Sequence, residues 1–127
     1  MKTYILAACA ALALSACSNE IHSSYKPANI ASLLSEGKQN DRFVVSGLPS
    51  LVRENSFVLN EGEHQLSVER LGDQSLNQSY PETVEALKAE ATDGDEQTVR
   101  VIGIYNGDST LKGFMVEIDG TVHPYFY

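Results

Sequence analysis

Between residues 42 and 119 the apolar side chains of this chain recur mostly at every second position, interrupted once by a stretch with helical spacing, and that pattern limits the fold most. Alternation of this kind marks strands with one buried face. It predicts strands over 42–47, with Phe43 and Val45 on one face, and over 56–60 and 65–69. The Glu61-Gly62 turn between the last two makes them a hairpin. Pro81 then opens a helix through Val84, Leu87, Lys88 and Ala91, stopped at Asp93-Gly94. Two more strands, 98–105 and 111–119, are joined by Asn106-Gly107-Asp108, and a short extended piece, 121–127, ends on three aromatic residues. The pattern apolar-x-apolar-x-Gly occurs in the first strand, ending at Gly47, and in the fourth, ending at Gly103. A glycine at that point lets a long strand coil round a closing barrel.

Three strands, a helix and two strands, in that order, is the element order of an OB-fold, a five-stranded Greek-key barrel. We therefore expect a mainly β, OB-like barrel with one helix between strands three and four. Ahead of it, Pro27, then Ile30, Leu33 and Leu34, then Gly37 predict a short amphipathic helix, with a proline near its start and a glycine past its end, that packs on the domain as a lid or plug. The stretch from Phe43 to Glu69, with Gly47, Phe57, Leu59, Leu66 and Val68 in step, resembles the bacterial OB-fold (BOF) family of small periplasmic proteins, and residues 99–118 resemble its closing strands. A segment rich in Ser, Gln and Asn, 72–80, is longer than that resemblance implies.

The amino-terminal residues carry a different message. Lys2, an apolar run from Tyr4 to Leu14 and small residues after it have the three-part layout of a secretory signal. The run is too short to cross a bilayer, which takes roughly 20 apolar residues. Leu14-Ser15-Ala16-Cys17 resembles the lipobox of bacterial lipoproteins. The resemblance implies cleavage between Ala16 and Cys17 and a diacylglyceryl thioether on the Cys17 sulfur. Ser18, where such proteins often carry an inner-membrane Asp, favours an outer-membrane anchor facing the periplasm. The expected division is thus a signal peptide over 1–16, lipidated Cys17 with tether and short helix over 17–37, and the barrel over 38–127. The partners expected are the membrane, through that lipid, and an envelope protein.

With Cys9 in the signal and Cys17 acylated, the mature domain holds no other cysteine, so it has no disulfide, thiolate ligand or cysteine nucleophile. It must be stabilised by apolar burial in one modest core. The formal charge of −8 becomes −9 once Lys2 leaves with the signal, since one positive charge is lost. Such a surface repels phosphate backbones unless its few basic residues cluster. Nucleic acid is therefore a poor default partner.

Catalytic and metal chemistry find little support in the spacing. His22, His64 and His123 show no His-x-His or His-x₃-His pattern, and only suitable strand pairing would bring Glu63 to His64, or Glu117 or Asp119 to His123. No Gly-x-Ser-x-Gly elbow is present. Asp93, Asp95 and Glu96 beside Gly94 lack the twelve-residue calcium-loop pattern and read as a solvated turn. We expect no enzyme activity, no metal and no cofactor.

Binding is the better expectation. OB barrels use the face of strands two and three and the loops joining strands one to two and four to five. Arg53, Arg70, Tyr105 and Lys112 are the candidates for a cleft there, with the alternative that Tyr105 only covers the barrel rim. The final Pro124-Tyr125-Phe126-Tyr127 group is expected to pack on the barrel and the 30–34 helix rather than form a partner patch. The function expected is a non-enzymatic binding or adaptor module. The alternatives are an OB-type binder of oligonucleotide or glycan and a lipid-tethered inhibitor of an exogenous enzyme.

Overall fold

The computed structural model describes residues 25–95 and 98–127; the signal peptide, Cys17 and His22 lie outside them. The strands are β1 (Lys26–Ala28), β2 (Arg42–Ser50), β3 (Ser56–Glu61), β4 (His64–Arg70), β5 (Val99–Tyr105), β6 (Thr110–Ile118) and β7 (Thr121–Pro124). The helices are α1 (Ile30–Glu36) and α2 (Pro81–Asp93), with a 3₁₀ turn over Gln74–Leu76.

The pairings close a ring. β2 pairs antiparallel with β3, β3 with β4, β4 in parallel with β6, β6 antiparallel with β5, and β5 antiparallel with β2. One long strand serves both ends of this ring. Residues 42–47 of β2 pair with β5, and Leu48, Pro49 and Ser50 pair with β3. The hand-over falls at Gly47, where a Cβ would lie 2.7 Å from Leu59 Cγ and 2.8 Å from the Asn60 carbonyl. Gly103 marks the other irregularity: the β5–β6 register slips between Ile102 and Gly103, so Phe114 of β6 is bulged. A Cβ there would collide with the Lys112 carbonyl.

Alternation buries Phe43 and Val45 on β2, Phe57 and Leu59 on β3, Leu66 and Val68 on β4, Val99 and Val101 on β5, and Leu111 and Val116 on β6 in one cluster. Ile30 and Leu33 of α1 and Leu87 of α2 complete it. At roughly 1.5–3 kcal/mol for each fully buried aliphatic or aromatic side chain, this cluster is what stabilises the domain.

The amino-terminal segment adds a strand that the periodicity did not predict. Pro27 does not open the helix; it sits in β1, which runs parallel to β2 with Lys26 opposite Phe43. Asn29 caps α1 instead, its Oδ1 accepting the Ser32 N–H at 2.7 Å, and Glu61 Oε1 accepts the Ile30 N–H at 2.9 Å. Ile30 and Leu33 of α1 sit in the barrel's core, with Ala28 and Leu34 partly buried against it.

The carboxyl-terminal residues also differ. Asp119 and Gly120 both take positive φ, a two-residue turn that folds 121–124 back on β6 as β7. Beyond it the Tyr125 ring meets Phe57 edge-on at 5.5 Å, and Phe126 meets Phe114 at 5.4 Å and Tyr80 at 5.8 Å. The ring contacts of this tail run to β3, β6 and the start of α2, whereas α1 packs on β2, β3 and β4. No helix among the described residues is long and apolar enough to cross a membrane.

Candidate functional site

Arg70 is the last residue of β4 and stands where the alternation of Leu66 and Val68 places a core side chain. It is 4% exposed. Among the described residues no ion pair to it is formed; its hydrogen-bond partners are neutral oxygens from three separate segments. Nη1 donates to Asn55 Oδ1 at 2.7 Å, and Nη2 donates to the Gln78 carbonyl and, at 3.1 Å, to the Phe126 carbonyl. The guanidinium carbon lies 3.9 Å from the Tyr127 ring centroid and 5.4 Å from that of Tyr80. Removing an ion from water costs several kcal/mol. Charge-assisted hydrogen bonds, at about 1.5–3 kcal/mol each, and the ring faces offset that cost. Nε is buried and has no partner.

The result is that one cation joins the β2–β3 loop (residues 51–55), the β4–α2 loop (71–80) and the carboxyl-terminal tail. Ser79 Oγ to Glu54 Oε2 at 3.3 Å adds a second link between the two loops. Asp73 holds the 3₁₀ turn, its Oδ1 accepting the Ser75 N–H at 2.9 Å, and these hydrogen bonds lower its carboxyl below the usual range. A cavity of about 220 Å³ opens beside the guanidinium, lined by Asn55, Ser56, Glu69, Arg70, Gln74 and Tyr127. The two large apolar side chains most exposed, Leu51 at 71% and Leu76 at 65%, stand on the same two loops. Leu51 holds φ +50, a conformation that costs a non-glycine residue about 1–2 kcal/mol.

The other candidates are dispersed. Arg53 is exposed in the β2–β3 loop, two residues from Asn55. Lys112 lies opposite Glu69 in the β4–β6 register and its Nζ meets Glu69 Oε1 at 2.6 Å. Tyr105 is 4% exposed, packs edge-on against Phe43 with ring centres 6.5 Å apart, and accepts the Ser109 N–H at 3.2 Å. It pins the β5–β6 loop and offers no ring face for stacking. Asn55, Gln78, Phe126, Tyr80 and Tyr127 are partners of Arg70 that the sequence reading did not name. The parity of Leu66, Val68 and Arg70 was the available signal: it turns that arginine inward, away from Glu69 and Lys112.

The outward face of β3 and β4 is polar and small. Asn60 Nδ2 donates to the Leu48 carbonyl at 2.9 Å and to Ser50 Oγ at 2.8 Å, and Gln65 Nε2 donates to Asn60 Oδ1 at 3.1 Å. Ser56, Val58, Ser67 and Glu69 fill the rest of that surface. Basic groups do not gather there. Arg100 pairs with Glu117, Lys88 with Glu85, and Arg42 lies over the Tyr25 ring. His123 lies opposite Val116, one step out of phase with Glu117, and among the described residues no three His, Cys, Asp or Glu side chains could hold a metal ion.

A ring in which one long strand pairs at both ends, with a parallel β4–β6 contact and a helix before β5, defines an OB-like barrel. Among solved structures it is similar to the telomere capping protein Ten1 from Saccharomyces pombe, with a TM-score of 0.50 at 12% identity over 75% of this chain and 81% of that one. The S. pombe Stn1-Ten1 complex is similar at a TM-score of 0.49 and 10% identity, over 75% of this chain and 76% of that one. No protein-family model matches the chain, and no curated protein does. The likeness to Ten1 establishes the fold and nothing finer.

Proposed function

We propose that this chain is a non-enzymatic binding module of a bacterial envelope, cleaved after Ala16, acylated on Cys17 and holding a protein partner at the periplasmic side of the outer membrane. The anchoring half of this reading rests on the sequence Leu14-Ser15-Ala16-Cys17 and its resemblance to the lipobox. The nine steps from Cys17 to Lys26 reach at most about 30 Å when extended, which keeps the barrel near the membrane.

The binding half is supported by one observation, the chemistry of the β3–β4 face. Strands that read single-stranded nucleic acid present stacking rings and a basic track. This face presents a Ser50, Asn60 and Gln65 hydrogen-bonded row, with its neighbouring lysine already matched to Glu69. Neutral donors and acceptors of this kind suit a protein surface. Ten1 is described as a telomere capping protein, but 12% identity transfers no role to this chain.

Envelope fractionation and intact mass of the detergent-extracted protein test the anchor, the expected mass being that of the chain from Cys17 plus acyl groups. An unmodified Cys17 refutes it. Titration with fluorescent single-stranded DNA and with a glycan set, from low to physiological salt, tests the binding half. We expect no affinity that falls steeply with salt; a strong salt slope would establish the oligonucleotide alternative instead.

A further inference from the structure

We propose that the cavity between β1, α1 and the turn after α1 binds a phosphate ester that carries a primary ammonium, presented by a zwitterionic lipid headgroup of the membrane to which the chain is tethered. The source of this ligand rests on the anchoring half of the reading above; the chemistry of the cavity does not. Its volume is about 370 Å³, and Ala28, Leu33 and Phe43 supply the apolar part of its lining. Lys26, Glu36, Lys38 and Asp41 supply the charged part. Two cations and two anions thus share one cavity, yet among the described residues none of these four side chains forms an ion pair or a hydrogen bond. The other described lysines both pair, Lys88 with Glu85 and Lys112 with Glu69.

The backbone holds this charged rim in place before any ligand arrives. Gly37 N–H donates to the Leu33 carbonyl at 2.9 Å and Asp41 N–H to the Lys38 carbonyl at 3.1 Å, while Asn40 N–H and the Asp41 carbonyl bond the Tyr105 backbone, both at 2.8 Å. A Cβ on Gly37 would meet the Leu33 carbonyl oxygen at 2.5 Å, so the turn has little room to shift. Such preorganisation lowers the ordering cost of binding.

A ligand that offers an anion to the lysines and N–H donors to the carboxylates forms charge-assisted hydrogen bonds with both pairs. Phosphate beside ammonium is the form in which a membrane surface presents that combination. The four lining charges sum to zero within a chain of formal charge −8, so an anionic headgroup meets a long-range repulsion that a zwitterion escapes. Lys26 follows Cys17 by nine residues, a reach of at most about 30 Å, which brings this wall of the cavity to the membrane surface. Through so short a linker even a weak site is filled.

The experiment follows the Gly37 and Lys38 amide resonances by ¹⁵N NMR in the mature chain with Cys17→Ser, titrated with glycerophosphoethanolamine, glycerophosphocholine and β-alanine at constant ionic strength. The expected result is a saturable shift with the first, and binding about tenfold weaker for the second, which has no N–H donor, and for the third, which has no phosphate. No saturable shift with glycerophosphoethanolamine overturns the site. Equal binding of glycerophosphocholine overturns the role of Glu36 and Asp41, and equal binding of β-alanine overturns the phosphate. Cosedimentation with vesicles of phosphatidylcholine alone and mixed equally with phosphatidylethanolamine then reads the source. Retention by the mixed vesicles about fivefold above the others is expected; no preference overturns the lipid source in favour of a free phosphate ester.

Lys38→Glu and Lys88→Glu change the net charge equally, both at exposed positions. The first should weaken glycerophosphoethanolamine binding about tenfold and the second leave it unchanged. No loss with Lys38→Glu, or an equal loss in both, overturns the assignment of the cavity. An unmodified Cys17 refutes the anchor and a silent Gly37 resonance refutes the cavity, so the two readings fail separately.

Discussion

Replacing Tyr125 by Phe should stabilise this domain. The side chain is 1% exposed and its ring packs edge-on against Phe57, contacts that phenylalanine keeps. Its hydroxyl is buried without a hydrogen-bond partner. An unsatisfied buried polar group costs about 1–3 kcal/mol, so its removal should raise stability at neutral pH by about 1 kcal/mol or more. In a domain of this size that is a rise of about 4–8 °C in Tm for each kcal/mol. The same burial pushes the phenol far above its ordinary value of 10.0, outweighing the opposing pull of the nearby Arg70 charge.

Such a group contributes fully below about pH 10, and its contribution is lost as pH climbs above that, because the unfolded phenol ionises where the folded one does not. One pH unit beyond the unfolded value, the native protein should have lost about 1.4 kcal/mol through this residue, and Tyr125→Phe none. Urea unfolding of both proteins from pH 7 to pH 11 reads the effect as a stability gap that widens above pH 10, all other titrations cancelling between the two. A variant less stable by 1 kcal/mol at pH 7, or a gap that stays constant with pH, refutes the reasoning.

Three further outcomes follow from the same structure. Leu33→Ala should cost about 2–5 kcal/mol in chemical denaturation, since α1 is part of the core; a cost near zero would make it a detachable tether. Gly103→Ala should destabilise by about 1–3 kcal/mol because the methyl group meets the Lys112 carbonyl, measured by the urea midpoint at unchanged slope. Cys17→Ser should move the protein from the membrane to the soluble fraction, and unchanged attachment would remove the anchor.

Much of the barrel was legible because burying one face of a strand forces a period of two on it. The expected first and fifth strands, 42–47 and 111–119, match β2 and β6 to within three residues at either end, and Pro81 and Gly94 bracket α2 as expected. The errors arise where local signals were ambiguous. Pro27 marks both helix starts and protected strand edges, and only the open side of β2, which β3 leaves beside residues 43–45, decides for the strand. Asp119-Gly120 was a readable hairpin signal that makes 121–124 a seventh strand.

Arg70 shows the limit most clearly. As a charged residue in a candidate cleft it suggested an exposed ligand contact; in the fold its position on the inward face of β4 draws three carbonyl and amide oxygens round it from residues 55, 78 and 126. Tyr105, likewise, turns its ring into the core.

By itself the amino-acid sequence determined the number and order of barrel elements, the absence of cysteine beyond Cys17 and the acidic balance, because periodicity and composition are local properties of a chain. The tertiary structure alone decided that residues 26–28 pair with β2 as a strand, and that one buried cation ties two loops to the tail. Those depend on which distant segments meet, and burial of a charge has no signature until its surroundings have closed over it.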